Sequence, residues 1–335
     1  MSTAAPAAGR ALESARSALR ATLGDRVRSA GPDRTEALAM ENTPLMEHAS
    51  VALVGGALRV LDVTPPVRAT FEGFLDGIQR SRTLAYVDGV PLLHGTAAAA
   101  IRLRDTQGRM STWARPDVQH AVYGSRTLLD DDTWSTLSEV LSARGQAMRD
   151  SDSGQPVPSR HPSALLRQGL DALSRVRNDI ERAMGDTWCA THADRPLYVD
   201  GSLRTSRSMM DAGGVVGVVK SHATLYVPDA VLPMVSALGA GQRTSVIVAL
   251  DSHDRPRFFT WYLRLRSAVG HDPFFGLIRA ETGVREEQAD VVEARAGEIS
   301  AWLLAERSPL AKPDARWDVM PYAIRDCEVY LRAVA

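Results

Sequence analysis

Two near-identical stretches, Ala85-Tyr-Val-Asp-Gly89 and Leu197-Tyr-Val-Asp-Gly201, lie 112 residues apart in this 335-residue chain. Each places a carboxylate at the end of an apolar, strand-like run. A carboxylate in such a position is costly unless hydrogen bonds, a cation or a metal compensates its burial. Two such strands side by side would bring Asp88 and Asp200 into one site, the arrangement that hard divalent cations require. Taken singly, each is also an ordinary Asp-Gly turn after a strand.

Other chemistries find little support. His94, His222, His253 and His271 are scattered without His-x-x-x-His spacing, and Cys189 and Cys327 lack metal-type spacing, so any metal would use oxygen ligands. There is neither a G-x-x-x-x-G-K-[ST] loop nor a G-x-S-x-G elbow, which disfavours an NTPase and an α/β-hydrolase, and Gly213-Gly214 lacks the Rossmann pattern. The net charge of −1 argues against an all-over basic surface, yet 39 basic side chains remain to line a local groove. Only Lys220 and Lys312 among them are lysines.

The elements that must position these residues follow from periodicity. Leu12, Ala15, Leu19 and Leu23 recur on one face of an N-terminal helix that Gly24 can stop. After a less regular stretch, 84–89 and 92–103 read as strands joined at Asp88-Gly89. Residues 105–109 form a turn, and 150–161 with Pro156, Pro158 and Pro162 form a loop. Ser163 opens a helix carrying Leu166, Leu170, Leu173, Ile180 and Met184, expected to end near Gly185. Further strands are expected at 196–200, 215–219, 224–227, 245–250, 258–265 and 274–280. Two helices close the chain, 287–304 and one opened by Pro321 and running to Val334. Strands in two blocks, separated and followed by helices, indicate an α/β sheet with covering helices. No apolar run is long enough to span a bilayer and the start lacks signal-peptide features, so a cytoplasmic protein is expected.

With these elements in place, Val199-Asp-Gly-Ser-Leu203 followed by Gly217-Val-Val-Lys220 resembles the central signature of NurA nucleases, and Val87-Asp-Gly89 resembles their first motif. Tyr262-Leu-Arg-Leu265 and Leu277-Ile-Arg-Ala-Glu281 are similar to later family strands, and Met320-Pro-Tyr322 to the start of the last family helix. The resemblance covers about residues 80–335 in motif order. It implies an RNase H-like mixed sheet flanked by helices, with an N-terminal helical segment at 1–80, a nuclease domain at 81–335 and a helical insertion at about 128–190. It further implies a metal-dependent DNA nuclease that digests from the 5′ end with Mn2+ or Mg2+, forms a homodimer and works beside a HerA-type hexameric ATPase in end processing or phage defence. Asp88 and Asp200 would be the core metal ligands. Glu181, on the helix before the second Asp-Gly-Ser motif, matches a family glutamate, although it also suits a surface pair with Arg177. Tyr226 falls near a family active-site tyrosine, and Lys220 would neutralise a substrate phosphate. Where the family carries a histidine in its terminal helix, this chain has Glu328, which borders the apolar face formed by Ile324, Cys327, Leu331 and Val334, whereas Asp326 points away.

Glu328 also motivates a rival: a catalytically weak NurA-like adaptor that binds DNA and docks on a HerA-type ATPase. A different RNase H-like enzyme acting on RNA or an RNA:DNA hybrid is the third reading.

Overall fold

A computed structural model describes residues 4–29, 47–64, 71–152, 160–192, 194–222, 224–284, 288–307 and 322–335. Its short N-terminal elements are α1 (Ala4–Leu23), β1 (Val27–Ser29), β2 (Glu47–His48), β3 (Val51–Leu53) and β4 (Val60–Asp62). A long hairpin follows, β5 (Gly73–Val87) and β6 (Val90–Arg104), then β7 (Met110–Thr112), β8 (Asp117–Gly124), α2 (Asp131–Ser142), β9 (Ala147–Asp150) and α3 (Pro162–His192). The second half comprises β10 (Leu197–Asp200), α4 (Arg207–Asp211), β11 (Val215–Val219), β12 (Thr224–Leu225), α5 (Leu232–Ser236), β13 (Gln242–Thr244), β14 (Ile247–Leu250), β15 (Pro256–Arg264), β16 (Leu277–Gly283), α6 (Ala289–Glu306) and α7 (Tyr322–Val334).

Fourteen of the described strands form one mixed sheet whose main path runs β3-β14-β15-β16-β11-β10-β5-β6-β8-β9. β10 lies at its centre, parallel to both β5 and β11, while β6 runs antiparallel to β5 and β8, and β16 antiparallel to β11. Because side chains alternate across a sheet, each strand feeds two cores. On the first face Phe74, Tyr198, Val218, Trp261 and Ala280 pack against α6 and α7 through Ile299, Trp302, Ile324 and Cys327. On the second face α3 covers Leu93, Ala97, Ala99 and Ala121 with Leu166, Leu170 and Leu173, and covers Leu75, Leu197 and Val199 with Trp188. The far end of the hairpin is closed by α1 and α2 through Leu12, Leu19, Leu137 and Leu141 against Leu84, Leu92 and Val122.

The alternation of helices and strands is as the sequence pattern indicates, and the differences have physical causes. α3 does not stop near Gly185 but continues to His192. Gly185 is an interior contact, since a Cβ there would lie 2.3 Å from Met209 Sδ, and beyond it Trp188 and Cys189 carry the apolar face onward. The stretch before Leu84 is strand rather than irregular chain, because β5 begins at Gly73. Its polar residues Asp76, Gln79, Arg80 and Arg82 interrupt the apolar signal without interrupting the ladder with β6. Position 80 therefore lies inside β5, and β1, β3 and β4 from the first 80 residues pair into the main sheet. Pro156, Pro158, Glu287, Met320 and Pro321 lie outside the described residues. Among the described residues no helix is long and apolar enough to cross a membrane.

Candidate functional site

Asp200 is the last residue of β10, and the register of β10 with β5 decides which acid lies beside it. Tyr198 pairs with Phe74 and Val199 with Leu75, so the next rung sets Asp200 abreast of Asp76. Phe74 and Tyr198 both enter the first-face core, and two residues further along each strand the alternation turns Asp76 and Asp200 to that same face. Adjacent strands are about 4.8 Å apart, which makes these two carboxylates neighbours.

Asp76 is 6% exposed. Its Oδ1 accepts a hydrogen bond of 2.8 Å from the Gly77 amide, but its Oδ2 is buried with no hydrogen-bond partner among the described residues. Asp200 accepts a hydrogen bond of 2.6 Å from Lys220 Nζ, and both side chains are largely buried. From the first face α7 is held to β5 by the Cys327 thiol, which donates to the Phe74 carbonyl. One residue on, Glu328 is buried and accepts from Arg325 at 2.6 Å, with Arg332 at 3.6 Å. From the second face α3 brings Glu181 over β5 at Gly77. A Cβ on Gly77 would lie 2.1 Å from Glu181 Oε1, so only a glycine lets that acid approach the strand so closely. Arg177, one turn earlier, is 3.3 Å from Glu181 Oε1.

The four acids share one electrostatic field. Burial pushes the Asp76 carboxyl well above the usual range, the charges of Asp200, Glu181 and Glu328 push it the same way, and Lys220 opposes them. Burial likewise raises Glu181 to about 7, with Asp200 adding to the rise and Arg177 opposing it. Three of the acids have a cation in contact, Asp200 with Lys220, Glu181 with Arg177 and Glu328 with Arg325, and Asp76 has none among the described residues. They are neighbours and not a closed ligand shell: among the described residues no three His, Cys, Asp or Glu side chains form a ready metal-holding group.

Asp88 does not belong to this cluster, which corrects its expected pairing with Asp200. It sits at the tip of the β5–β6 hairpin, twelve residues along the chain from Asp76 and, at about 3.3 Å per residue, on the order of 40 Å away. With φ +48° at Asp88 and +82° at Gly89, the pair makes the two-residue, left-handed turn that closes the hairpin. Its carboxylate accepts from Arg26 Nε at 3.0 Å at an exposed position. The residue in Asp88's expected place is Asp76, within Phe74-Leu-Asp-Gly77, which has the same aromatic-aliphatic-Asp-Gly pattern as Tyr198-Val-Asp-Gly201. That pattern was a usable signal, hidden by the closer verbal match of the two Tyr-Val-Asp-Gly copies.

Tyr226 is not brought to the acids either. It is buried on the second face, beneath the Arg279 guanidinium at 3.9 Å, with its hydroxyl 3.3 Å from Arg204 Nη1. Arg279 alternates with Ile278 and Ala280, which enter the first-face core, so it and Tyr226 lie across the sheet from Asp76 and Asp200. Asp326 does not point away from the protein but pairs with Arg102 of β6 at 2.5 Å.

One positioning residue was visible in the sequence only as the end of the Leu277–Glu281 strand motif, with no role of its own. Glu281 of β16 is fully buried, and its Oε2 accepts from Ser202 Oγ at 2.8 Å and from the Leu203 amide at 2.9 Å. The turn after Asp200 thus folds back over Gly217, where a Cβ would meet Leu203 Cγ at 2.8 Å and the Gly201 carbonyl at 2.9 Å. Arg279 balances the Glu281 charge at 2.6 Å. Glu281 and Gly217 together fix the strand end that carries Asp200. Comparison of the chain with known protein families and with curated proteins finds no match.

Proposed function

We propose that this chain is a metal-dependent DNA nuclease of the NurA type, with Asp76 and Asp200 as its central carboxylates. The observation that carries the reading is the buried, unpartnered Oδ2 of Asp76 abreast of Asp200. An unpaired buried carboxylate oxygen is retained at a cost of a few kcal/mol, and a divalent cation is the partner that three neighbouring acids on different elements suit. The donor set is all oxygen, which favours Mg2+ or Mn2+ over softer metals.

The order β8-β6-β5-β10-β11, with β10 and β11 parallel to β5 and α3 on one face, supports an RNase H-like fold. Replacing Asp88 by Asp76 as the first-motif acid preserves the motif order of the resemblance. In this reading Asp76 and Asp200 would hold the cations, with Glu181 approaching β5 from the second face and Glu328 from the first. The bound cations supply activated water and charge neutralisation at the phosphate. Lys220, which donates to Asp200, would be placed to neutralise a non-bridging phosphate oxygen. A homodimer, a HerA-type hexameric ATPase partner and a role in DNA end processing or phage defence belong to the same proposal.

The test is degradation of end-labelled single- and double-stranded DNA with Mn2+, comparing wild type with Asp76→Asn, Asp200→Ala and Asp88→Ala. The first two should lose at least 100-fold in rate, and Asp88→Ala should retain activity. Equal activity in wild type and Asp76→Asn sinks the assignment. The ion pairs of Glu328 with Arg325 and Arg332 favour a second reading, a catalytically weak adaptor on the same ATPase, which predicts ATPase binding without cleavage.

A further inference from the structure

The first face of the long hairpin is covered by helices at two places, and between them lies a polar stretch in which Arg80 and His120 are exposed, Arg82 is half-buried, and Thr96 and His94 are buried. Toward the carboxylates, Ile78, Ala98, Ala100 and Val118 lie beneath Tyr330 and Leu331 of α7. Toward the hairpin tip, Leu84, Leu92 and Val122 lie beneath α1. Between these covers three strands present a polar window: Arg80 and Arg82 on β5, paired with Thr96 and His94 on β6, with His120 on β8 opposite Thr96.

Alternation along β5 turns Asp76, Ile78, Arg80 and Arg82 to one face, which places the two arginines roughly 13 and 20 Å from Asp76. Arg80 is exposed and donates to the Arg332 carbonyl, and Arg82 has no hydrogen-bond or ion-pair partner among the described residues. Thr96 Oγ1 is 2.9 Å from His120 Nδ1, and the His94 and His120 rings stack at 6.4 Å. Among the described residues no carboxylate pairs with any of these groups. Two guanidinium groups and two imidazoles therefore share a sheet face with no counter-anion, in a protein whose net charge is −1.

We propose that this window is a phosphate-binding track for a single nucleic-acid strand that leads to the carboxylates, an inference that rests on the nuclease reading. Guanidinium groups donate without accepting, which matches phosphate oxygens, and a contact made to the phosphates alone is sequence-neutral. The polar ladder runs along the strand direction, as an extended backbone requires.

The experiment is fluorescence anisotropy of a labelled oligothymidine and a mixed-sequence oligonucleotide of equal length, without divalent metal and across a salt series. Wild type should bind both alike. Arg80→Gln/Arg82→Gln should weaken both at least tenfold and lower the salt slope by about one to two, as expected when one or two phosphate contacts are lost. Arg80→Lys/Arg82→Lys should restore most of the slope, which separates charge from folding, and melting curves verify that each variant is folded. Absence of binding by wild type, or equal affinity and slope in the glutamine variant, overturns the track. Mn2+-dependent hydrolysis of a thymidine p-nitrophenyl phosphodiester by wild type tests the carboxylates separately, because that substrate is too short to reach the window. Its failure beside arginine-dependent binding rejects the nuclease and keeps the track.

Discussion

Asp76 has the surroundings a protein avoids unless something else is gained: a buried carboxylate beside other acids, with one oxygen unpaired among the described residues. Three acids in its field add repulsion, and Lys220, which opposes them, is hydrogen-bonded to Asp200 instead. Asp76→Asn keeps the shape and removes the titrating group. Metal-free protein should therefore gain about 1–3 kcal/mol and melt several degrees higher at neutral pH, because folded wild type must either hold a buried, uncompensated charge or bind a proton that the unfolded chain releases. Mn2+ should reverse the order, raising the melting temperature of wild type and leaving Asp76→Asn unmoved. A thermal melt with and without Mn2+ reads both effects, and a variant less stable than wild type without metal would contradict this account of the site. Asp88, by contrast, is a turn residue, and nothing in its own sequence neighbourhood distinguishes it from Asp76. Both follow apolar residues and precede glycine. What separates them is which one β10 pairs beside, a long-range property that single-strand patterns do not encode.

At the scale of elements, the site depends on helix α3 pressing an acid against strand β5. Gly77 makes that possible, and Gly77→Ala tests it. The added methyl would stand 2.1 Å from Glu181 Oε1, so the Glu181 side chain must withdraw or the helix must shift. Overpacking of this kind costs about 1–3 kcal/mol. The shift in melting temperature caused by Mn2+ should also shrink, since Glu181 leaves the neighbourhood of Asp76. A Gly77→Ala protein with wild-type stability and wild-type response to Mn2+ would show that Glu181 has no part in the site. The helix itself was legible from Leu166, Leu170, Leu173 and Ile180, and so was Glu181 on its polar border. Its length was not, because Gly185 carries the composition of a stop but serves as a seat for Met209. β5 was half legible for the opposite reason. Its apolar end was visible, whereas the segment bearing Asp76, Arg80 and Arg82 is polar at the positions that carry the proposed chemistry. The parts hidden from periodicity are thus the parts where local pattern is given up for a site.

Across the whole molecule the sheet joins two regimes, a hairpin region on one side of β10 and the β11–β16–β15–β14 extension on the other, and the acids gather where they meet. The hairpin region carries two histidines, His94 and His120, whose titration burial lowers, and these should control the response of the fold to pH. His94 is 8% exposed, and burial, with His120 and Arg82 close by, lowers its titration to about 4 from the ordinary 6.5. Between those values the unfolded chain binds a proton that the folded protein refuses. The stability linked to His94 is therefore complete above pH 6.5 and is lost as pH falls through 4. A shift of this size corresponds to about 3 kcal/mol. His94→Gln, which cannot be charged, should lose that slope: urea midpoints of wild type and variant should diverge steadily between pH 7 and pH 4, with the variant gaining relative stability at the acid end. Parallel curves over this window would mean that His94 titrates alike in the folded and unfolded protein, as an anionic neighbour of Arg82 and His120 would bring about. A nucleic-acid strand seated in the window would supply one, so an oligonucleotide should flatten the wild-type slope and leave His94→Gln unchanged.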